Sequence, residues 1–146
     1  MSYFVVVGGS KFQAGLVLAA FRKNISVIVV DKDPNCFCKI NFPTIVFIKE
    51  SVRNIDQVLK LLEPYDLLDA ATAQSDNGVM LVQVIRERVG IVEHSLYAAS
   101  LLTNKFLFKK YLFDNDISIH SPVLIKNSST SKISIDWSQS YVLKPT

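Results

Sequence analysis

The sequence is short of cysteine, of long apolar runs and of net charge. Cys36 and Cys38 are its two cysteines in 146 residues, too few for a disulfide scaffold. No apolar run approaches the ~18 residues that a membrane-spanning helix needs, so no membrane association is expected. The opening residues Met1-Ser2-Tyr3 lack a basic side chain, and the apolar run over 3–7 is shorter than a signal-peptide core. A cytoplasmic location is therefore the expectation. Sixteen Lys and Arg against thirteen Asp and Glu leave a formal net charge of +3. That excess suits a small anionic ligand but not the concentrated basic face used to hold nucleic acid. What is present is an ordinary globular composition, 49% hydrophobic and 20% charged. A chain of this length buries roughly 70% of the surface it exposes when unfolded, enough to fold without cross-links.

The first half alternates short apolar runs with helical periodicity. Residues 3–7 form a β-branched and aromatic run that predicts a buried strand. Gly8-Gly9-Ser10 ends it, with Ser10 as N-cap of a helix over about 11–23, in which Phe12, Leu16, Ala19, Ala20 and Lys23 recur at spacings of three and four. Residues 26–30 predict a second strand, closed by the turn-rich Asp31-Lys32-Asp33-Pro34-Asn35. A third strand is expected over 44–48, with Ile55, Val58, Leu59 and Leu62 marking the helix after it. Pro64 ends that helix, and a fourth strand over 67–71, a helix over 77–88 and a short strand at Ile91-Val92 follow. Runs without polar alternation, each followed by a helix, predict an α/β fold with a doubly wound parallel sheet ordered 3-2-1-4, at least one further strand, and helices on both faces. Ligand sites are then expected beyond the carboxyl ends of the strands. Gly8, Gly9 and Ser10, the 31–35 turn, and the loop holding Ser75 and Asp76 fall on that edge.

The pattern changes near residue 94, which divides the chain into an expected domain over 1–94 and a second part over 95–146. Two helices, over 95–102 and 104–115, lead to a strand at 123–125, a polar stretch over 127–132 and an apolar terminal strand at Tyr141-Val142-Leu143-Lys144. A strand in that place needs a partner, which raises the expectation that the chain is part of a longer protein.

Few residues carry chemistry on their own. Gly8-Gly9-Ser10-Lys11-Phe12-Gln13 departs from the dinucleotide fingerprint Gly-x-Gly-x-x-Gly, with Ser10 and Gln13 standing in for its second and third glycines. Asp31, at the end of the second strand, sits where an acid binds ribose in that motif. The alternative is that the two glycines simply turn the chain. Cys36 and Cys38 are spaced i, i+2, too close for an unstrained disulfide in most backbones. His94 and His120 lie too far off to complete the three or four ligands of a metal site, so free thiols are expected. No nucleophile with a base at a readable spacing occurs. Asp114 and Asp116 read as solvated turn residues.

Taken together, several segments resemble the N-terminal part of the ATP-grasp superfamily of carboxylate–amine ligases. They are Val5-Val6-Val7-Gly8-Gly9-Ser10, Val29-Val30-Asp31-Lys32-Asp33-Pro34-Asn35, Ser75-Asp76, Thr103-Asn104-Lys105 running on to Asp116-Ile117-Ser118-Ile119-His120-Ser121-Pro122, and Tyr141-Val142-Leu143-Lys144-Pro145. The resemblance implies a Rossmann-like domain that precedes the ATP-grasp domain, plus the start of that domain's α+β small subdomain. It implies that Lys105 and Lys144 contact ATP, as flexible point charges suited to phosphate oxygens, and that Gly8, Gly9, Ser10, Asp31, Ser75 and Asp76 help hold a carboxylate substrate. ATP and Mg²⁺ would serve the complete enzyme, with carboxylate and amine substrates as partners. Family ligases continue well beyond the Lys-Pro strand into a phosphate flap and metal ligands. This chain alone is therefore expected to be inactive and to hold no cofactor, its partner being that continuation or a second copy. Carbamoyl phosphate synthase large subunits, purine-pathway ligases and amino-acid ligases share the pattern. The alternative is a stand-alone dinucleotide-binding or interaction domain without catalysis.

Overall fold

The fold was read from a computed structural model that describes residues 2–73, 75–92, 94–125 and 138. The chain divides into two compact units, Met1–Ala99 and Ser100–Thr146.

In the first unit, β1 (Ser2–Val7) leads through a 3₁₀ turn (Lys11–Gln13) into α1 (Ala14–Arg22), then β2 (Ser26–Asp31), α2 (Phe37–Asn41), β3 (Val46–Lys49), α3 (Ile55–Leu62), β4 (Asp66–Ala71) and α4 (Asp76–Arg88). The four strands form one parallel sheet in the order β3-β2-β1-β4. The expected α/β class and strand order are both met. β1 and β2 pair without interruption from Tyr3 opposite Ser26 to Val7 opposite Val30. Against β4 the register slips between Tyr3 and Phe4, which face Leu67 and Asp69, so Leu68 is the extra residue of a bulge.

The apolar runs of β1 and β2 are buried because the sheet is covered on both sides. Val5, Val7, Ile28, Val30, Ile48 and Ala70 face Val58 and Leu62 of α3 and Leu81 and Ile85 of α4. On the opposite face Val6, Val27 and Val29 meet Val17 and Ala20 of α1 and Cys38 of α2. Each such Val or Ile contributes roughly 1.5–3 kcal/mol by leaving water. The core therefore has two layers divided by the sheet, as a doubly wound fold requires.

Three sequence expectations are corrected. The period of α1 is right but its phase is displaced: Gln13, Val17 and Ala20 are buried, while Phe12 and Ala19 are exposed. Ile91 and Val92 form no strand. α4 instead closes in a Schellman turn, with Gly90 at φ +82°, its N–H donating to the carbonyl of Glu87 and that of Ile91 to Arg86. Residues 123–125 are likewise neither helix nor strand, and no fifth strand joins the sheet among the described residues. Apolar β-branched composition makes a strand only where another backbone offers a ladder. The stretch over 127–132 and the terminal strand lie outside the described residues.

α5 spans Leu96–Thr103, its first turn capped by the Ser95 hydroxyl, which accepts from the Ala98 amide at 3.1 Å. In the second unit α6 (Lys105–Asp114) begins at Asn104, whose side chain accepts from the amides of Phe106 and Leu107, both at 3.1 Å. It ends in a second Schellman turn with Asp116 at φ +58°, where Ile117 donates back to Leu112 at 2.9 Å. Among the described residues no helix is long and apolar enough to cross a membrane.

Gly78 sets the approach of α4 to the sheet. A Cβ there would stand 2.8 Å from Thr72 Oγ1 and 2.9 Å from Val7 Cγ1, and Thr72 is fixed because its hydroxyl donates to the Val7 carbonyl at 2.8 Å. Gly78→Ala is expected to destabilise the chain by about 1–3 kcal/mol, the usual range for an added methyl in a packed interior, as measured by urea unfolding. Unchanged stability would mean that α4 does not pack this closely.

Candidate functional site

The carboxyl edge of the sheet gathers the loops after β1, β2, β3 and β4. Gly8 leaves β1 at φ +91°, a left-handed conformation that glycine adopts without steric cost, and its amide donates to the Val30 carbonyl at 2.8 Å. Gly9 then runs so close to α2 that a Cβ on it would lie 2.3 Å from Cys36 Sγ. Its amide donates to Asp31 Oδ2 at 2.6 Å, and its carbonyl accepts from the Cys38 amide at 2.8 Å. The other Asp31 oxygen, Oδ1, accepts from the Asp33 amide at 2.9 Å. Asp31 thus braces the first loop against the second through Oδ2 and shapes its own turn through Oδ1.

Ser10 caps the 3₁₀ turn, accepting from the Phe12 amide at 3.3 Å, and its hydroxyl donates to Gln13 Oε1. Gln13 is 2% exposed, and its Nε2 donates to the Ala73 carbonyl at 2.7 Å. One buried side-chain amide therefore joins the loop after β1 to the loop after β4. In the sequence Gln13 stood out as an absent fingerprint glycine. Its bridging role depends on the β4 loop, sixty residues away, so local spacing held no signal for it.

Ser75 occupies the N-cap position of α4 without a side-chain capping bond, and Asp76 lies in the first helical turn. Next to them, Asn77 Oδ1 accepts from Nη2 of Arg53, in the loop after β3. Sequence reasoning passed over Arg53, which lies in a short polar stretch without a motif. Gly8, Gly9, Ser10, Asp31, Ser75 and Asp76 thus all stand on the carboxyl edge, and among them Gly9 and Asp31 are hydrogen-bonded to each other. Two shallow cavities, of about 250 and 350 Å³, lie at the opposite, amino edge, around Tyr65 and Arg88 and around Asn24 and Thr44.

Lys105 is the exposed first residue of α6. Lys144 lies outside the described residues. Asp114 pairs with Lys110 at 2.7 Å on the surface of α6, a contact that contributes little. Both cysteines are free and buried, and among the described residues no group of three or more His, Cys, Asp or Glu could hold a metal ion. Burial pushes the Cys36 thiol up. The Cys38 thiol is pushed up to about 11, first by burial and then by the negative charges of Cys36 and Asp31.

No protein-family model matches the sequence, and no curated protein matches it. Solved structures do. The chain is similar to phosphoribosylglycinamide synthetase from Anaerococcus prevotii, with a TM-score of 0.67 and 22% identity, over 79% of this chain and 29% of that one. It is similar to N5-carboxyaminoimidazole ribonucleotide synthetase from Thermotoga maritima, with a TM-score of 0.57 and 18% identity, over 79% and 31% of the two chains. The corresponding synthetase from Staphylococcus aureus, solved in complex with ADP, gives 0.56 and 17% over 77% and 29%. The chain thus spans about a third of the length of these structures, and it shares their fold over that part.

The raised Cys38 pKa fixes a pH dependence. Below about pH 9 the thiol is neutral in both folded and unfolded chains and its contribution is constant. From pH 9 to about 11 the unfolded thiol ionises while the folded one stays protonated, so stability falls as pH rises. Urea unfolding at pH 7, 9 and 10.5 is expected to show this loss, and Cys38→Ala is expected to flatten it. An identical slope in the variant would contradict the assignment.

Proposed function

We propose that the chain is the substrate-side N-terminal part of an ATP-dependent ligase. In such an enzyme ATP gives its γ-phosphoryl group to a carboxylate, and an amine then displaces phosphate from the acyl phosphate to form the C–N bond. The observation that carries this reading is the fold shared with synthetases over 79% of the chain, joined to five sequence segments in the order that ATP-grasp ligases place them. A carbamoyl phosphate synthase-like enzyme is one form of this proposal. Nucleotide bound by the Staphylococcus aureus synthetase accords with a nucleotide role here, which we assign to Lys105 and Lys144. The carboxyl edge is the substrate side, and Mg²⁺ would be held by other residues of the complete enzyme. Phosphoryl transfer rests on positioning and on charge neutralisation at the phosphates, and two lysines supply a fraction of that.

The dinucleotide alternative is weakened by Gln13, which stands where the fingerprint has its third glycine and is buried with its side-chain amide tied to the Ala73 carbonyl. Titration of the 146-residue chain with Mg-ATP and with NAD, beside a phosphate-release assay with carboxylates and amines, separates the readings. Weak Mg-ATP binding without turnover is the expected result. Micromolar Mg-ATP binding with steady turnover would make the chain an enzyme in itself, and micromolar NAD binding would favour the alternative. In the complete enzyme, Lys105→Ala and Lys144→Ala are each expected to raise KM for ATP about tenfold, the loss of one charge-assisted hydrogen bond.

A further inference from the structure

The first two loops of the carboxyl edge have used most of their donors on themselves. The Gly8 amide is held by Val30, the Gly9 amide by Asp31 and the Ser10 hydroxyl by Gln13, and the Asp31 carboxylate adds negative charge beside them. The exposed ammonium groups of Lys11 and Lys32 in these loops are flexible point charges, and a cationic donor held in a fixed direction comes from another element. Arg53 supplies it. It is exposed in the loop between β3 and α3, and one of its N–H groups donates to Asn77 Oδ1 in the first turn of α4.

Asn77 is a neutral acceptor, so it fixes the direction of the guanidinium without cancelling its charge. Among the described residues Arg53 pairs with no carboxylate. Of the acidic residues closest in sequence to the two ends of the bridge, Glu50 accepts from the Ser51 amide, and Asp56 and Asp76 lie in the first turns of α3 and α4. A guanidinium has five N–H donors, so four remain after the bond to Asn77. Arg53 is therefore a positioned cation at the edge where parallel α/β sheets take ligands.

We propose that Arg53 binds the carboxylate group of a small-molecule ligand at this edge, through the paired, charge-assisted hydrogen bonds that a planar guanidinium forms with a planar carboxylate. The ligase reading supplies the expectation of a carboxylate substrate, and the proposal rests on it to that extent. Binding at Arg53 needs no ATP, so its test is separate from the Mg-ATP titration and either can fail alone.

The test is a titration of the ¹⁵N-labelled chain with sodium acetate at constant ionic strength, followed by amide and arginine side-chain chemical shifts. Saturable shifts are expected at Arg53, Asn77 and Gly78. They should weaken about tenfold in Arg53→Gln, weaken less in Arg53→Lys, which keeps the charge but loses the fork, and persist in the charge-matched control Lys23→Gln, at the C-terminal end of α1 on the opposite edge of the sheet. Both Arg53 and Lys23 are exposed, and dispersed spectra of the variants establish that they fold. The proposal is overturned if acetate gives no saturable shift at these positions or binds Arg53→Gln as well as the parent. It is also overturned if Lys23→Gln loses binding equally, or if inorganic phosphate saturates the site and acetate does not.

Discussion

Two strands that run the same way cannot be joined by a tight turn. With all four strands of this sheet parallel, every connection has to cross a face, and every strand leaves the sheet at the same edge. The two-sided burial of β1 and β2, the division of the core into two layers and the assembly of four loops at one edge all follow from that constraint. Apolar burial holds the strands. Chemistry is left to the loops, which carry little of the core.

The loops are not independent of one another. Gln13 ties the first to the fourth, Asp31 ties the second to the first, and Arg53 ties the third to α4. The first two ties are turned inward, donor matched to acceptor. The third is turned outward, with a charge that no carboxylate among the described residues neutralises. A buried amide that lost its partners would incur a desolvation cost of about 1–3 kcal/mol, so Gln13 belongs to the architecture of the edge, whereas Arg53 is held in place by one neutral neighbour and keeps its charge.

Most of the strand and helix pattern was legible because β1 and β2 are buried on both faces and so appear as unbroken apolar runs. Ser10 announced its cap through a side chain that can reach the next amides, whereas Asn104 was read as part of the helix that it caps. Legibility failed where structure depends on distant partners. Ile91 and Val92 have the composition of a strand, but the left-handed Gly90 turns their backbone onto α4. The five-residue α2 is too short to show a period, and the Pro34-Asn35 turn before it pointed to a loop. The phase of α1 was misread because its inward position 13 holds a polar residue, while the aromatic Phe12 beside it faces solvent. Of the site, the glycine turn and Asp31 were visible as residues but not as a self-bonded group. Arg53 has no motif, and only the folded chain brings it to Asn77.

The bulge in β4 bears on what this sheet does in a crowded solution. Among the described residues β4 is the outermost strand beside β1, and an outer strand is a template on which further backbone can assemble. The extra residue Leu68 breaks the even spacing that a regular ladder needs. Directly after it, Asp69 Oδ1 accepts from the Ala70 amide at 2.7 Å and from Arg86 Nε at 2.9 Å. An N–H that an incoming strand would require is thus already satisfied by a charged side chain anchored to α4. On this side a stray extended segment would meet a kinked rim, with its Ala70 amide already taken, in place of an evenly spaced ladder.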